Sequence, residues 1–166
     1  MSLLPEEFER QVKTLLERLG LGLRSFVARQ RERLTAADGE YEIDVNVRFE
    51  ALGADFLVLV ECKHQRRPVE REVVQILADR LRALGAQKGM LFTTSSFQSG
   101  ALQYAQAHGI ALVQMREGKP DFVTRSFGDA APASVATLVW LDATGQECRA
   151  DLAAGLESLR AFLAAK

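Results

Sequence analysis

Asp44, Glu61 and Lys63 are the residues whose types and spacing could do chemistry together. Glu61 and Lys63 stand two apart at the end of the apolar run Phe56 to Val60, and strand residues at that spacing point to one face. An apolar strand that finishes in Glu61, Cys62, Lys63 and His64 needs a reason for its charges. Two carboxylates converging with a lysine form the donor set of metal-assisted phosphodiester hydrolysis. Hard oxygens hold Mg2+ beside the phosphate and leave positions for water and a phosphate oxygen. The ammonium of Lys63 then orients the attacking water or stabilises developing negative charge, and the backbone carbonyl of Cys62 is a natural further ligand.

Asp44 comes from Tyr41 to Phe49, where Tyr41, Ile43, Val45, Val47 and Phe49 alternate with Glu42, Asp44, Asn46 and Arg48. That alternation predicts a half-buried strand. Ala51 to Ala54, with Gly53, separates it from the apolar run, so the two read as an antiparallel hairpin. With Leu52 and Gly53 at the centre of the turn, Ile43 faces Cys62, Val45 faces Val60, Val47 faces Val58 and Phe49 faces Phe56. The other face sets Asp44 across from Glu61, and Glu42 across from Lys63. Directly opposed like charges destabilise a sheet pair, so a cation belongs between Asp44 and Glu61, or one of them holds a proton. Leu-Gly is not a favoured hairpin pair, which leaves a longer loop as the alternative. A slip of one residue would break the face match.

The remaining elements must position this hairpin. Pro5 opens a helix with Phe8, Val12, Leu15, Leu16 and Leu19 on one face, stopped by Gly20 and Gly22. Leu23 to Arg29 reads as a short strand, and Thr35 to Gly39 as a turn. Pro68 introduces a helix with Val69, Val73, Ile76, Leu77, Leu81 and Leu84 on its apolar side, closed by Gly85. Lys88 to Thr94 is a strand, Ala101 to His108 a helix and Ile110 to Met115 a further strand. This order predicts an α/β fold: a mixed central β-sheet with an antiparallel hairpin and parallel crossovers, flanked by helices. From Arg116 to Ala133 the chain reads as loop. Val135 to Asp142 opens a second hairpin, and Asp151 would cap a last helix carrying Leu152, Leu156, Leu159 and Leu163. The division is a core over 1–115 and an extension over 116–166, which packs on the core or makes a dimer.

The chain of 166 residues, 48% hydrophobic and 26% charged, has the composition of one globular domain rather than a disordered segment. A net charge of −1 does not announce a nucleic-acid binder, yet Lys63, Arg66, Arg67 and Arg71 cluster just beyond the proposed site. Two cysteines make neither a disulfide framework nor a zinc site. No basic-then-apolar leader opens the chain and no apolar run approaches a membrane span, so a cytoplasmic location is expected.

Asp44 followed by Glu61-x-Lys63 at the end of an apolar strand resembles the PD-(D/E)XK nuclease superfamily. The segments FER in the first helix, ECKH, and GMLFTTSSFQSGALQYAQAHGIAL resemble its Mrr-like restriction endonuclease group, over roughly Pro5 to Met115. The resemblance implies a restriction-endonuclease-like fold and a Mg2+-dependent DNA endonuclease, with Mn2+ as a substitute. Asp44 and Glu61 would be metal ligands, Lys63 the catalytic lysine, Glu9 an accessory acid and Gln75 a helix residue lining the site. Glu42, Ile43 and Asp44 stand where the motif's name has Pro-Asp. Arg66, Arg67 and Arg71 would contact DNA phosphates, and Thr94 and Ser95 would bind phosphate.

Each residue also has an ordinary reading. Glu61 and Lys63 could be a solvated strand end, and Glu9 an exposed helix residue paired with Lys13. Gln75 could be a surface residue and Thr94 and Ser95 parts of a helix-capping loop. Cys62 and His64 align with the apolar face; Cys62 reads as core rather than nucleophile, and His64 as structural or phosphate-contacting rather than a metal ligand. Two other functions stay open: a nuclease-fold module that binds DNA or protein without cutting, and a Holliday-junction-resolvase-like enzyme. Double-strand cleavage by one metal site per chain would make a homodimer useful.

Overall fold

The structure, a computed structural model, describes residues 4–124 in full, together with the backbone of 137–141 and 147–151. The chain divides into two compact units, residues 1–128 and 129–166. The first unit opens with α1 (Pro5–Leu19), followed by β1 (Arg24–Ala36), β2 (Gly39–Ala51) and β3 (Ala54–Lys63). It continues through α2 (Arg71–Leu84), β4 (Lys88–Thr93), α3 (Ser99–Ala107), β5 (Ala111–Arg116) and β6 (Lys119–Thr124). The six strands lie in sequence order in one sheet. β1, β2 and β3 form an antiparallel meander, α2 and α3 connect the parallel strands β3, β4 and β5, and β6 returns antiparallel. This is the mixed sheet with helices on both faces that the order of elements predicts.

Two cores sandwich the sheet. Phe8, Val12 and Leu16 of α1 pack with Val45, Val47, Val60, Phe92 and Val113. On the other face Val74, Leu77 and Ala78 of α2 and Ala101 and Ala105 of α3 pack with Ile43, Leu59, Leu91 and Leu112. Leu19 and Ile76 are exposed rather than facing the core, and Val69 is buried ahead of α2, bridging to Phe97. Gly20 is needed for its size: a Cβ there would lie 2.2 Å from the ring of Phe26, which packs against the α1 core.

The hairpin register stands. Val45 pairs with Val60, Val47 with Val58 and Phe49 with Phe56, around a two-residue turn of Leu52 (φ 53°) and Gly53 (φ 76°). Positive φ at both positions is the geometry of a type I′ turn, which Leu adopts at a cost.

One expectation fails at the end that matters. The β2–β3 ladder stops at Val45–Val60, and Ile43 belongs to the α2/α3 core whereas Val45 and Val47 belong to the α1 core. Strict alternation would put all three on one side. β2 therefore switches faces at Asp44, and β1 switches with it: Phe26 and Ala28 pack on the α1 side, and Leu34 on the other. Between them Arg31 has φ 53°; its neighbours pair as Gln30–Val45 and Glu32–Ile43, which puts Arg31 beside Asp44. Ile43 consequently does not share the apolar face of Cys62, and Glu42 is exposed and pairs with Arg33 at 3.7 Å instead of facing Lys63.

Two strands were also longer or additional. β1 runs through Arg29, Arg31 and Arg33 to Ala36, and 119–124 form β6 where a loop was expected. Both are edge strands; their exposed positions take arginine in β1 and their apolar signal is correspondingly thin, while Pro120 in β6 is tolerated because an edge needs no second ladder bond. In the second unit β7 (Thr137–Leu141) and β8 (Glu147–Asp151) pair antiparallel, Trp140 opposite Cys148, which is the second hairpin. Asp151 closes β8, and the last helix expected over Leu152, Leu156, Leu159 and Leu163 lies outside the described residues. Among the described residues no helix is long and apolar enough to cross a membrane.

Candidate active site

The site forms where the β2–β3 ladder opens. Because the chain switches faces at Asp44, its carboxylate turns toward β3 and accepts the amide hydrogen of Cys62 at 2.7 Å. The next residue on one side of that amide is Glu61, 7% exposed, on the face covered by α2. Its Oε1 lies 2.6 Å from Lys63 Nζ, and its Oε2 2.7 Å from a nitrogen of Arg80 in α2. Among the described residues no cation makes hydrogen-bond contact with Asp44. Burial pushes its carboxyl up, the charge of Glu61 adds to this, and the Cys62 amide only partly offsets both, for a value of about 6. The expected cross-strand pairing of Asp44 with Glu61 is not formed, because the ladder stops at Val45–Val60, although the charge of Glu61 still raises Asp44.

Glu9 sits on the opposite face. It is 7% exposed and clamped from β1: Arg31 donates to both of its oxygens at 2.8 and 3.1 Å, and Gln30 donates at 2.9 Å. Burial raises its carboxyl, but the Arg31 and Gln30 hydrogen bonds outweigh burial and leave it below the usual range. Its charge is one of those that raise Asp44. Lys13 pairs with Glu17 at 2.6 Å, so the helical partner expected for Glu9 is taken elsewhere.

The other candidates are dispersed. Gln75 is exposed and lines a groove of about 500 Å3 with Tyr41, Glu72, Arg80 and Tyr104. Arg66 and Arg67 are exposed just past β3, and Arg71 lies over the ring of Tyr104, 5.2 Å from its centroid. Thr94 Oγ accepts from the amide of Gln65 and donates to its carbonyl, both at 3.2 Å. Ser95, 8% exposed, bonds Thr93 Oγ at 3.1 Å, and Thr93 Oγ donates to the Lys63 carbonyl. These hydroxyls tie the loop after β4 to the chain leaving Lys63. Cys62 packs on the α1 core, and burial, then the charge of Asp44, pushes its thiol up and away from nucleophilic use. His64 meets the ring of Phe8 at 5.7 Å.

The contacts that Arg80, Arg31 and Gln30 make with Glu61 and Glu9 were not expected from the sequence. Arg80 had a signal: it lies three residues past Leu77 and four before Leu84, a charge on the core-facing stripe of α2. Arg31 had none, since its role follows from a backbone turn that no local pattern announces.

The carboxylates of Asp44 and Glu61 are hard oxygen donors, and burial together with the charge of Glu61 raises the pKa of Asp44; both features fit a hard divalent cation. Among the described residues no three His, Cys, Asp or Glu gather as a metal cluster, so such an ion would depend on further oxygens from water, backbone or substrate.

A mixed sheet between helices, with Asp and Glu-x-Lys at its opening strands, is a restriction-endonuclease-like α/β fold. The family model for the Mrr catalytic domain, described as Restriction endonuclease, matches residues 1–117, and the chain belongs to that family. Among solved structures it is similar to the crystal structure of a protein of unknown function, AF1548, at 25% identity and a TM-score of 0.51, covering 63% of this chain and 56% of that one. MspJI restriction endonuclease in complex with a 27-mer oligonucleotide gives 22% and 0.46, covering 64% and 25%. The DNA modification-dependent restriction endonuclease AspBHI gives 22% and 0.45, covering 63% and 27%. The chain thus spans little more than half of the first structure and about a quarter of the other two. No curated protein matches it.

Proposed function

We propose that the protein is a Mg2+-dependent DNA endonuclease of the Mrr-like restriction type, acting in the cytoplasm. The observation that carries this is that Asp44 bonds the amide of Cys62, the residue between the paired Glu61 and Lys63, and feels the charges of both. Asp44 and Glu61, with the Cys62 carbonyl, would hold the divalent ion, which when bound polarises the phosphate and acidifies a water. Lys63 Nζ, already against Glu61 Oε1, places a positive charge beside the attacked phosphorus and holds a proton there. The exposed Arg66 and Arg67 follow β3 directly and supply sequence-independent phosphate contacts. DNA is the partner that the family and the oligonucleotide complex of the MspJI enzyme suggest.

The test is cleavage of supercoiled plasmid, modified duplex and four-way junctions with Mg2+ or Mn2+. Wild type should cut at least one, and Lys63→Ala should cut it about 10^2-fold or more slowly. Wild-type protein that leaves all three intact sinks the catalytic reading; preference for the junction favours a resolvase. A second reading, a nuclease-fold module that binds DNA without cutting, draws support from Glu61, both of whose oxygens are already held by cations. It predicts DNA affinity unchanged by Glu61→Gln and no Mn2+ uptake.

A further inference from the structure

Glu61 is held from two elements at once. Lys63 comes from the same strand and is the lysine of the motif. Arg80 comes from α2, reaches across the sheet face and takes the second oxygen at 2.7 Å. Both partners are half-buried, at 33% and 26% side-chain exposure, and Glu61 is buried. Screening by water is therefore weak and each added charge matters. The local sum for Asp44, Glu61, Lys63 and Arg80 as ions is neutral; with Lys63 alone it would be negative. A divalent cation liganded by Glu61 needs a carboxylate oxygen, and Arg80 competes for one directly and repels the ion through its own charge.

We infer that Arg80 is a positioning residue that acts as a displaceable counter-ion of Glu61: it fixes the carboxylate's orientation and must release Oε2 when a divalent ion binds. The inference rests on the metal-dependent reading above. It gives the groove lined by Gln75, Tyr41 and Arg80 a use, because it offers the released guanidinium space that already contains the acidic Glu72 and Asp79. A purely structural ion pair would make a different prediction, since breaking it would disorder Glu61 and weaken the ion's binding.

Mn2+ titration calorimetry on the full chain separates these outcomes, using wild type, Arg80→Met, Arg80→Gln, Arg80→Lys and Glu61→Gln, with circular dichroism to verify folding. Expected is Mn2+ binding by wild type, about tenfold tighter binding by Arg80→Met and Arg80→Gln, a return toward wild type in Arg80→Lys, and loss in Glu61→Gln. Binding by the neutral Arg80 variants when wild type shows none would support the inference still more strongly. Affinity that is unchanged or weaker in a folded neutral variant, with wild type binding, overturns the counter-ion role and leaves the metal reading intact. Silence in every variant overturns the metal reading and the inference with it. Should Arg80→Met not fold, Arg80→Gln decides alone, and failure of both neutral variants to fold while Arg80→Lys folds overturns displaceability.

Discussion

The two faces of the sheet each carry a buried glutamate held by an arginine from another element, and they are held differently. On the α1 face, Arg31 grips both oxygens of Glu9 in a fork and Gln30 adds a third bond. On the α2 face, Glu61 divides its oxygens between Lys63 and Arg80, one contact each. A bidentate guanidinium–carboxylate pair is geometrically specific and strong; two single contacts leave each oxygen one bond from being free. The forked pair fastens β1 to α1 and consumes its carboxylate, whereas the divided pair keeps its carboxylate exchangeable. Asp44 is raised by both charges and bonds neither arginine.

The largest expected difference is catalytic. Glu61→Gln should reduce metal-dependent cleavage by about 10^3-fold, and Glu9→Gln by less than tenfold while lowering the melting temperature by roughly 3–6 °C. Equal losses of cleavage and of Mn2+ uptake in the two variants would break the comparison and return Glu9 to the role of accessory ligand.

Next comes pH. Asp44's folded value of about 6 stands above its ordinary 3.8, so the folded state binds a proton more readily than the unfolded chain. Its contribution is fully present below about pH 4 and is lost as pH rises through about 6, on the order of 3 kcal/mol in EDTA. Glu9, held below its ordinary value, contributes in the opposite sense and loses its share as pH falls through its folded value. Urea midpoints measured from pH 4 to 7 in EDTA should fall for wild type more steeply than for Asp44→Asn; parallel curves would remove Asp44 from the account. The smallest effect isolates the hairpin from both clamps. Leu52→Asn creates Asn-Gly at two positions of positive φ and should stabilise by about 0.5 kcal/mol, read as a small rise in melting temperature with cleavage unchanged.

The register of β2 on β3 was legible because period-2 alternation and a two-residue turn leave little choice, and β4, α3 and β5 because their apolar runs are bounded by Gly85 and Gly109. The site was legible as composition and only partly as geometry. Asp44 was expected directly across from Glu61 and instead bonds the Cys62 amide, because the alternation from Tyr41 to Phe49 looks continuous on paper, and side chains of Tyr41 and Ile43 are apolar enough for either core. Nothing in the residue types reveals that the strand turns over at Asp44, because both faces of this sheet are covered and both accept the same residues. Arg80 escaped because an arginine beside leucines on a helix is normally read as a solvated flank, and its partner lies nineteen residues earlier.

The turn-over at Arg31 has a consequence for the sheet's open side. β1 is an edge of the six-stranded sheet, thirteen residues long, and a straight edge of that length is a template for pairing with other chains. With φ of 53° at Arg31 and again at Ser25, and with Arg29 and Arg33 exposed, the regular edge of β1 is interrupted in its middle and near its start. The same distortion that aims Asp44 at the site thereby makes a thirteen-residue edge a poorer template for pairing.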